Sequence, residues 1–154
     1  MHPAILIFWL IADCLTPGAC SCFPPREPST PAEARSYVEG AAAVFEGTVV
    51  RITHPTLDQA ARDAARADLL VVTLRVSQQW RGAIRDSIVV TTSFHASMCG
   101  VDFEEGRSYF VIADAVEGRP GPAWLAAPWL DARSCGATRP AREARRLKRL
   151  LDSR

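Results

Sequence analysis

The chain has 154 residues, 48% of them hydrophobic and 23% charged. That is enough to bury the core of one ordinary domain and too little for two large ones. Eighteen Lys and Arg against 17 Asp and Glu leave a net charge of +1, which gives no reason to expect nucleic acid or an anionic membrane as the main partner. Nine Gly and 11 Pro are too few for a collagen-like or low-complexity chain. The unusual features are five Cys and a single Lys, Lys148, among 17 Arg.

At the N-terminus, Ala4 to Ala12 reads A-I-L-I-F-W-L-I-A, followed by Asp13, Cys14 and Leu15 and then Thr16-Pro17-Gly18-Ala19. This is the pattern of a secretory signal peptide with a small residue at the cut, although only the amino terminus and His2 supply positive charge. The run is too short for a transmembrane helix, which needs about 20 apolar residues. Residues 1–19 are therefore expected to be removed. The mature domain, 20–154, is expected to be secreted or periplasmic, with no membrane association after cleavage. A lipoprotein signal also ends before a Cys, but Pro17 stands where such signals usually carry an aliphatic residue. A thioether at Cys20 would forbid a disulfide there.

Removing residues 1–19 removes Cys14 and leaves Cys20, Cys22, Cys99 and Cys135. Four cysteines in an exported chain read as two disulfides with three connectivities. A Cys20–Cys22 bridge would close a very small strained ring. Both other pairings tie the N-terminal tip to Cys99 and Cys135, each bridge worth about 4 kcal/mol on the chain-entropy model. Termini are usually loose, so a terminus held this firmly is a candidate working part.

Thr30-Pro31-Ala32-Glu33 forms a capping box with Pro at the first helical position, which predicts a helix over 31–39 ended by Gly40. Ala43 to Ile52 reads as a strand, with Gly47 permitting a bend or bulge. The segment 54–68, Ala-rich with Asp58 and Arg62 four apart, reads as a surface insertion or helical projection. Leu70, Val72, Leu74 and Val76 alternate with Val71, Thr73 and Arg75, predicting a half-buried strand that ends at Trp80. Further strands are predicted at Ser87–Thr92, Tyr109–Ala113 and, more weakly, Ala123–Ala127. Thr138-Arg139-Pro140 should open a last helix with Ala141, Ala144, Leu147 and Leu151 on one face. Five short strands flanked by two helices predict a mainly β, small closed barrel. Seven basic residues crowd into 138–154, a face that solvates more often than it binds.

Other residue groups invite chemistry and give little. Cys20-x-Cys22 has no thioredoxin-like βαβ context. His95 and Cys99 are four apart, but His54 is the only other mature histidine, and zinc needs three or four ligands. Asp102, Glu104 and Glu105 precede Gly106 in what reads as a solvated turn. Trp124 and Trp129 flank Pro128 as either a ridge or part of the core. The sequence contains no G-x-S-x-G, P-loop or H-E-x-x-H motif. An enzyme is not expected, nor a cofactor or an intrinsic metal.

The pieces Cys20-Ser21-Cys22-Phe23-Pro24, Ala43-Val44-Phe45-Glu46-Gly47-Thr48-Val49, Trp80-Arg81-Gly82, Cys99-Gly100-Val101-Asp102-Phe103, Gly106-Arg107-Ser108-Tyr109 and Cys135-Gly136-Ala137-Thr138-Arg139-Pro140 occur in this order. Together they resemble the inhibitory N-terminal domain of the tissue inhibitors of metalloproteinases, within the wider netrin-like module. The match spans essentially the whole mature chain, and C-x-C-x-P directly after a signal is its most specific part. The resemblance implies a five-stranded barrel of the oligonucleotide/oligosaccharide-binding (OB) type. It also implies disulfides Cys20–Cys99 and Cys22–Cys135, and inhibition of a zinc metalloproteinase by a monomer. In that family the mature N-terminal Cys, here Cys20, chelates the protease zinc through its α-amine and carbonyl oxygen. The next side chain, here Ser21, enters the pocket beyond the scissile bond, and Cys22, Phe23 and Pro24 complete the contact edge. The cysteines of the animal inhibitors' third bridge and of their second, smaller domain have no counterpart here. Netrin-like modules also serve as non-inhibitory extracellular binding or adhesion domains, which is the alternative reading.

Overall fold

Thr30 opens the first helix as its spacing predicts. Its hydroxyl accepts the Glu33 amide at 3.2 Å, and α1 runs Pro31–Tyr37 with Pro at its start. Glu33 reaches back one residue further than a standard capping box: its carboxylate accepts both the amide and the hydroxyl of Ser29, each at 2.7 Å. The helix ends two residues before the expected 39, and Gly40 follows with a left-handed φ of 78°. The computed structural model describes residues 26–54, 69–93, 99–116 and 129–153.

The Ser29 amide lowers the Glu33 carboxyl below its ordinary value of 4.5, with the Ser29 hydroxyl adding to the effect. A carboxylate whose folded pKa is lowered stabilises the fold above the unfolded pKa, and that stabilisation is lost as pH falls through the folded value. Glu33→Gln should therefore destabilise α1 at pH 7, and by progressively less as the pH falls through the folded value. Melting curves over an acid pH series check this; a difference that does not shrink with falling pH contradicts it.

The strands are β1 (Ala43–Thr53), β2 (Leu69–Arg81), β3 (Ser87–Ser93), β4 (Ser108–Val116), β5 (Trp129–Ala132) and a two-residue β6 (Arg139–Pro140). Five of them close a barrel in the order β1-β2-β3-β5-β4-β1. Every pairing is antiparallel except β3–β5, which is parallel. This mixed closed barrel is compatible with the expected OB type. The strand predicted at 123–127 and the Asp58–Arg62 segment lie outside the described residues. The strand that closes the barrel starts at Trp129, whose ring is buried.

The period of two sorts β4 cleanly. Tyr109, Val111 and Ala113 face the barrel interior with Phe45, Val49, Val72, Leu74 and Val90. Phe110 and Ile112 face outward and are covered, together with Val44, by Ala34 and Val38 near α1 and by Ala144 and Leu147 at the C-terminal helix. Both faces of β4 are thus buried, which explains its unbroken apolar run.

β1 crosses β2 with register shifts, one of them between Glu46 and Gly47. A Cβ at Gly47 would lie 2.9 Å from the Arg75 carbonyl oxygen and 3.2 Å from the Leu74 Cβ. Gly47→Ala should therefore cost about 1–3 kcal/mol, as overpacking against backbone does. Denaturant titration checks this, and an unchanged midpoint contradicts it.

The last helix, α2 (Arg145–Asp152), begins later than the predicted opening at Thr138-Arg139-Pro140. The reason lies in what those residues do instead. Arg139 and Pro140 pair with Phe110 and Tyr109 as β6. The Thr138 hydroxyl, rather than capping a helix, accepts the Ile112 amide at 3.2 Å and donates to the Ile112 carbonyl at 3.1 Å. Residues 141–144 form a turn closed by Glu143 N to Pro140 O and Ala144 N to Ala141 O. The apolar face is nonetheless the predicted one: Ala141, Ala144 and Leu147 are buried, and Leu151 is partly so. Lys148 pairs with Glu46 on β1 at 2.5 Å, and both side chains are about one-fifth exposed.

Candidate functional site

Cys20, Ser21, Cys22, Phe23 and Pro24 lie outside the described residues. The described part of the expected site is the two loops that carry Cys99 and Cys135. Cys99 and Cys135 are each disulfide-bonded. They are also the only non-glycine positions with a left-handed backbone among the described residues, at φ 62° and 61°. A side-chain-bearing residue pays about 1–2 kcal/mol for that conformation. Such strain persists where the surroundings over-determine the backbone, and it gathers at working sites.

The surroundings of Cys99 do fix it. Two residues on, the Val101 amide donates to the Thr92 hydroxyl at 2.8 Å, and Thr92 is buried at the end of β3. The Tyr109 hydroxyl accepts the Glu104 amide and donates to the Asp102 carbonyl, both at 3.0 Å. Its ring meets Phe103 edge-on at 4.8 Å. Burial pushes the Tyr109 phenol above its ordinary pKa, so the proton needed for this donation stays in place. Gly106 N to Val49 O at 2.8 Å closes the loop onto β1.

Cys135 is held from the other side. Thr138 N donates to Arg133 O at 3.0 Å across the Cys135 turn. The Arg133 guanidinium makes a two-pronged pair with Asp114 on β4, both contacts at 2.6 Å. The two cysteine loops meet: Gly100, Val101, Tyr109, Cys135, Gly136 and Arg139 line one shallow groove of about 330 Å³. The N-terminal segment runs beside it. Glu27 accepts from Arg139 at 2.5 Å, where the Arg139 side chain is 15% exposed.

The remaining candidates separate. Glu104 pairs with Arg107, and Glu105 accepts the Ile52 amide at 2.8 Å, so these carboxylates brace the loop and do not form an acid–base pair. A half-cystine at Cys99 is not available as a metal ligand, and its expected companion His95 lies outside the described residues. Among the described residues no three His, Cys, Asp or Glu gather as a metal site. Trp129 is core, and Trp124 lies outside the described residues. No described helix is long and apolar enough to cross a membrane.

Three residues that position this surface carry no sequence signal of their own. Thr92 sits in an ordinary β run, Tyr109 looks like core, and Arg139 belongs to a basic stretch. Only the pairing of loops in space gives them a role. The sequence matches no protein-family model and no curated protein.

Proposed function

We propose that the mature chain is a stoichiometric inhibitor of zinc metalloproteinases. In this reading Cys20 chelates the target's catalytic zinc, and the N-terminal tip is clamped by Cys20–Cys99 and Cys22–Cys135. The observation that carries the reading is the pair of strained half-cystines on adjoining loops, with the N-terminal segment salt-bridged beside them through Glu27. Glu27 is five residues after Cys22, so the proposed Cys22–Cys135 bridge would have to close within at most about 18 Å of chain from that ion pair. A rigid barrel edge with convergent cross-links is what a preformed N-terminal wedge needs, because ordering a floppy terminus on binding would cost affinity.

The chemistry follows from the zinc. A catalytic zinc keeps one position open for the water that attacks the peptide. A neutral α-amine and the carbonyl oxygen of the same residue form a five-membered chelate there and displace that water. The unperturbed pKa of an α-amine is near 8, so zinc takes the neutral form at little cost around neutral pH. Ser21 then occupies the adjoining pocket, and Phe23 and Pro24 line the ridge.

Titrating protein of intact mass beginning at Cys20 into a panel of zinc endopeptidases tests the proposal. The expected result is a linear loss of activity ending at one equivalent with at least one member. Binding to these enzymes that leaves their activity intact would favour the non-inhibitory netrin-like module instead.

A further inference from the structure

The sequence is nearly neutral, yet its charge is unevenly placed. Within the described stretch 139–153 lie six basic residues, Arg139, Arg142, Arg145, Arg146, Lys148 and Arg149, against Glu143 and Asp152. The structure divides them by role. Arg139 is neutralised by Glu27, and Lys148 by Glu46. Asp152, the only carboxylate of α2, is turned toward the barrel, where it accepts from Trp80 Nε1 at 2.8 Å and Gln78 Nε2 at 2.9 Å. It is therefore engaged in docking the helix. Four exposed arginines remain, and among the described residues their one carboxylate contact is Arg142 to Glu143 at 3.8 Å.

These arginines are placed against the helix's own interest. Arg145 and Arg149 are four apart and repel. The first turn of α2 has no acidic residue and no side-chain cap, while Arg145 and Arg146 stand at its positive end. A groove of about 490 Å³ runs alongside, between α2 and β2, lined by Gln78, Arg145, Lys148, Arg149 and Asp152.

We infer that this face binds an anionic polysaccharide, a linear chain carrying sulfate or carboxylate groups. Guanidinium forks suit such groups, because each pairs with two oxygens of one anion. Two other polyanions fit less well. Leu147 is buried and Leu150 and Leu151 pack toward the barrel, so the helix offers no apolar face to a lipid bilayer. Trp80 is held by Asp152 and packs against Phe110 at 5.3 Å, so it is no stacking platform for nucleic-acid bases. The inference is independent of the inhibitory reading, since its surface lies on α2 and not at the cysteine loops.

The test is a salt-dependence titration of the full mature chain with heparin as probe, beside phosphatidylglycerol vesicles and single-stranded DNA. Two double variants of equal net charge are compared, R145E/R149E on the face and R51E/R85E away from it. All four positions are exposed, and far-ultraviolet circular dichroism verifies that both variants fold. The expected result is heparin binding that weakens steeply with salt. It should fall at least about tenfold in R145E/R149E and clearly less in R51E/R85E. Equal losses in the two variants would overturn the inference by reducing it to net charge. Tighter binding to vesicles or DNA than to heparin, or no heparin binding at low salt, would also overturn it.

Discussion

Replacing Cys135 with Ser should lower the stability of the mature chain by about 2–5 kcal/mol, the usual loss on removing a native disulfide from a small domain. The residue is a half-cystine at φ 61°, so two effects are superposed: loss of the cross-link and relief or retention of backbone strain. Cys135→Gly separates them. Glycine adopts the left-handed region without penalty, so Cys135→Gly should be about 1 kcal/mol more stable than Cys135→Ser. Denaturant titrations under non-reducing conditions read both numbers. A Ser variant as stable as the parent would mean that the bond does not constrain the fold.

Phe110→Ala should cost about 3–5 kcal/mol, the range for deleting a buried aromatic ring. Phe110 is fully buried on the outer face of β4 and packs against Trp80, in the cluster that joins α1 and α2 to the barrel. In a domain whose total stability is of order 5–15 kcal/mol, that loss should lower the melting temperature by about 10 °C or more. Ile84→Ala is the control. Ile84 is 94% exposed in the turn between β2 and β3, and its loss should stay within about 0.5 kcal/mol. Similar losses in the two variants would contradict the assigned core.

Much of the barrel is legible in the residues because its strands obey one pattern. β1 to β4 alternate or run apolar over lengths that leave no other reading, and the Thr30 and Pro31 signals mark α1 without help from tertiary structure. Two elements resist for physical reasons. β5 is four residues long and carries Asp131, so its pattern is too short to stand out from the Pro-rich segment before it. The start of α2 misleads because Thr138-Arg139-Pro140 has the local chemistry of a helix opening. Tertiary pairing with β4 outbids that preference, and the Thr138 hydroxyl is drawn to Ile112.

The site divides in the same way. The cysteine count marks Cys99 and Cys135 as expected half-cystines, but nothing in their neighbours announces a left-handed backbone at both. Nor does the sequence reveal that Thr92, Tyr109 and Arg139 hold the anchoring loops. Those roles depend on β3, β4 and β6 being brought to one end of the barrel. The basic stretch near the C-terminus is equally ambiguous as a string. Only in the folded chain does Lys148 separate from the exposed arginines, and Asp152 from the charges it would otherwise neutralise.

The proposed inhibition depends on the α-amine of Cys20 reaching a protease zinc, and one added residue separates that amine from the metal. Inhibition constants should be compared for protein beginning at Cys20 and for the same protein extended by a single Ala, each verified by intact mass. The extension moves the free amine away from the chelating position and replaces it with an amide, while leaving the cysteines and the barrel unchanged. The expected result is a rise in the inhibition constant of at least about 1,000-fold, equivalent to roughly 4 kcal/mol, at an unaltered melting temperature. Equal inhibition by the extended protein would contradict zinc chelation by Cys20.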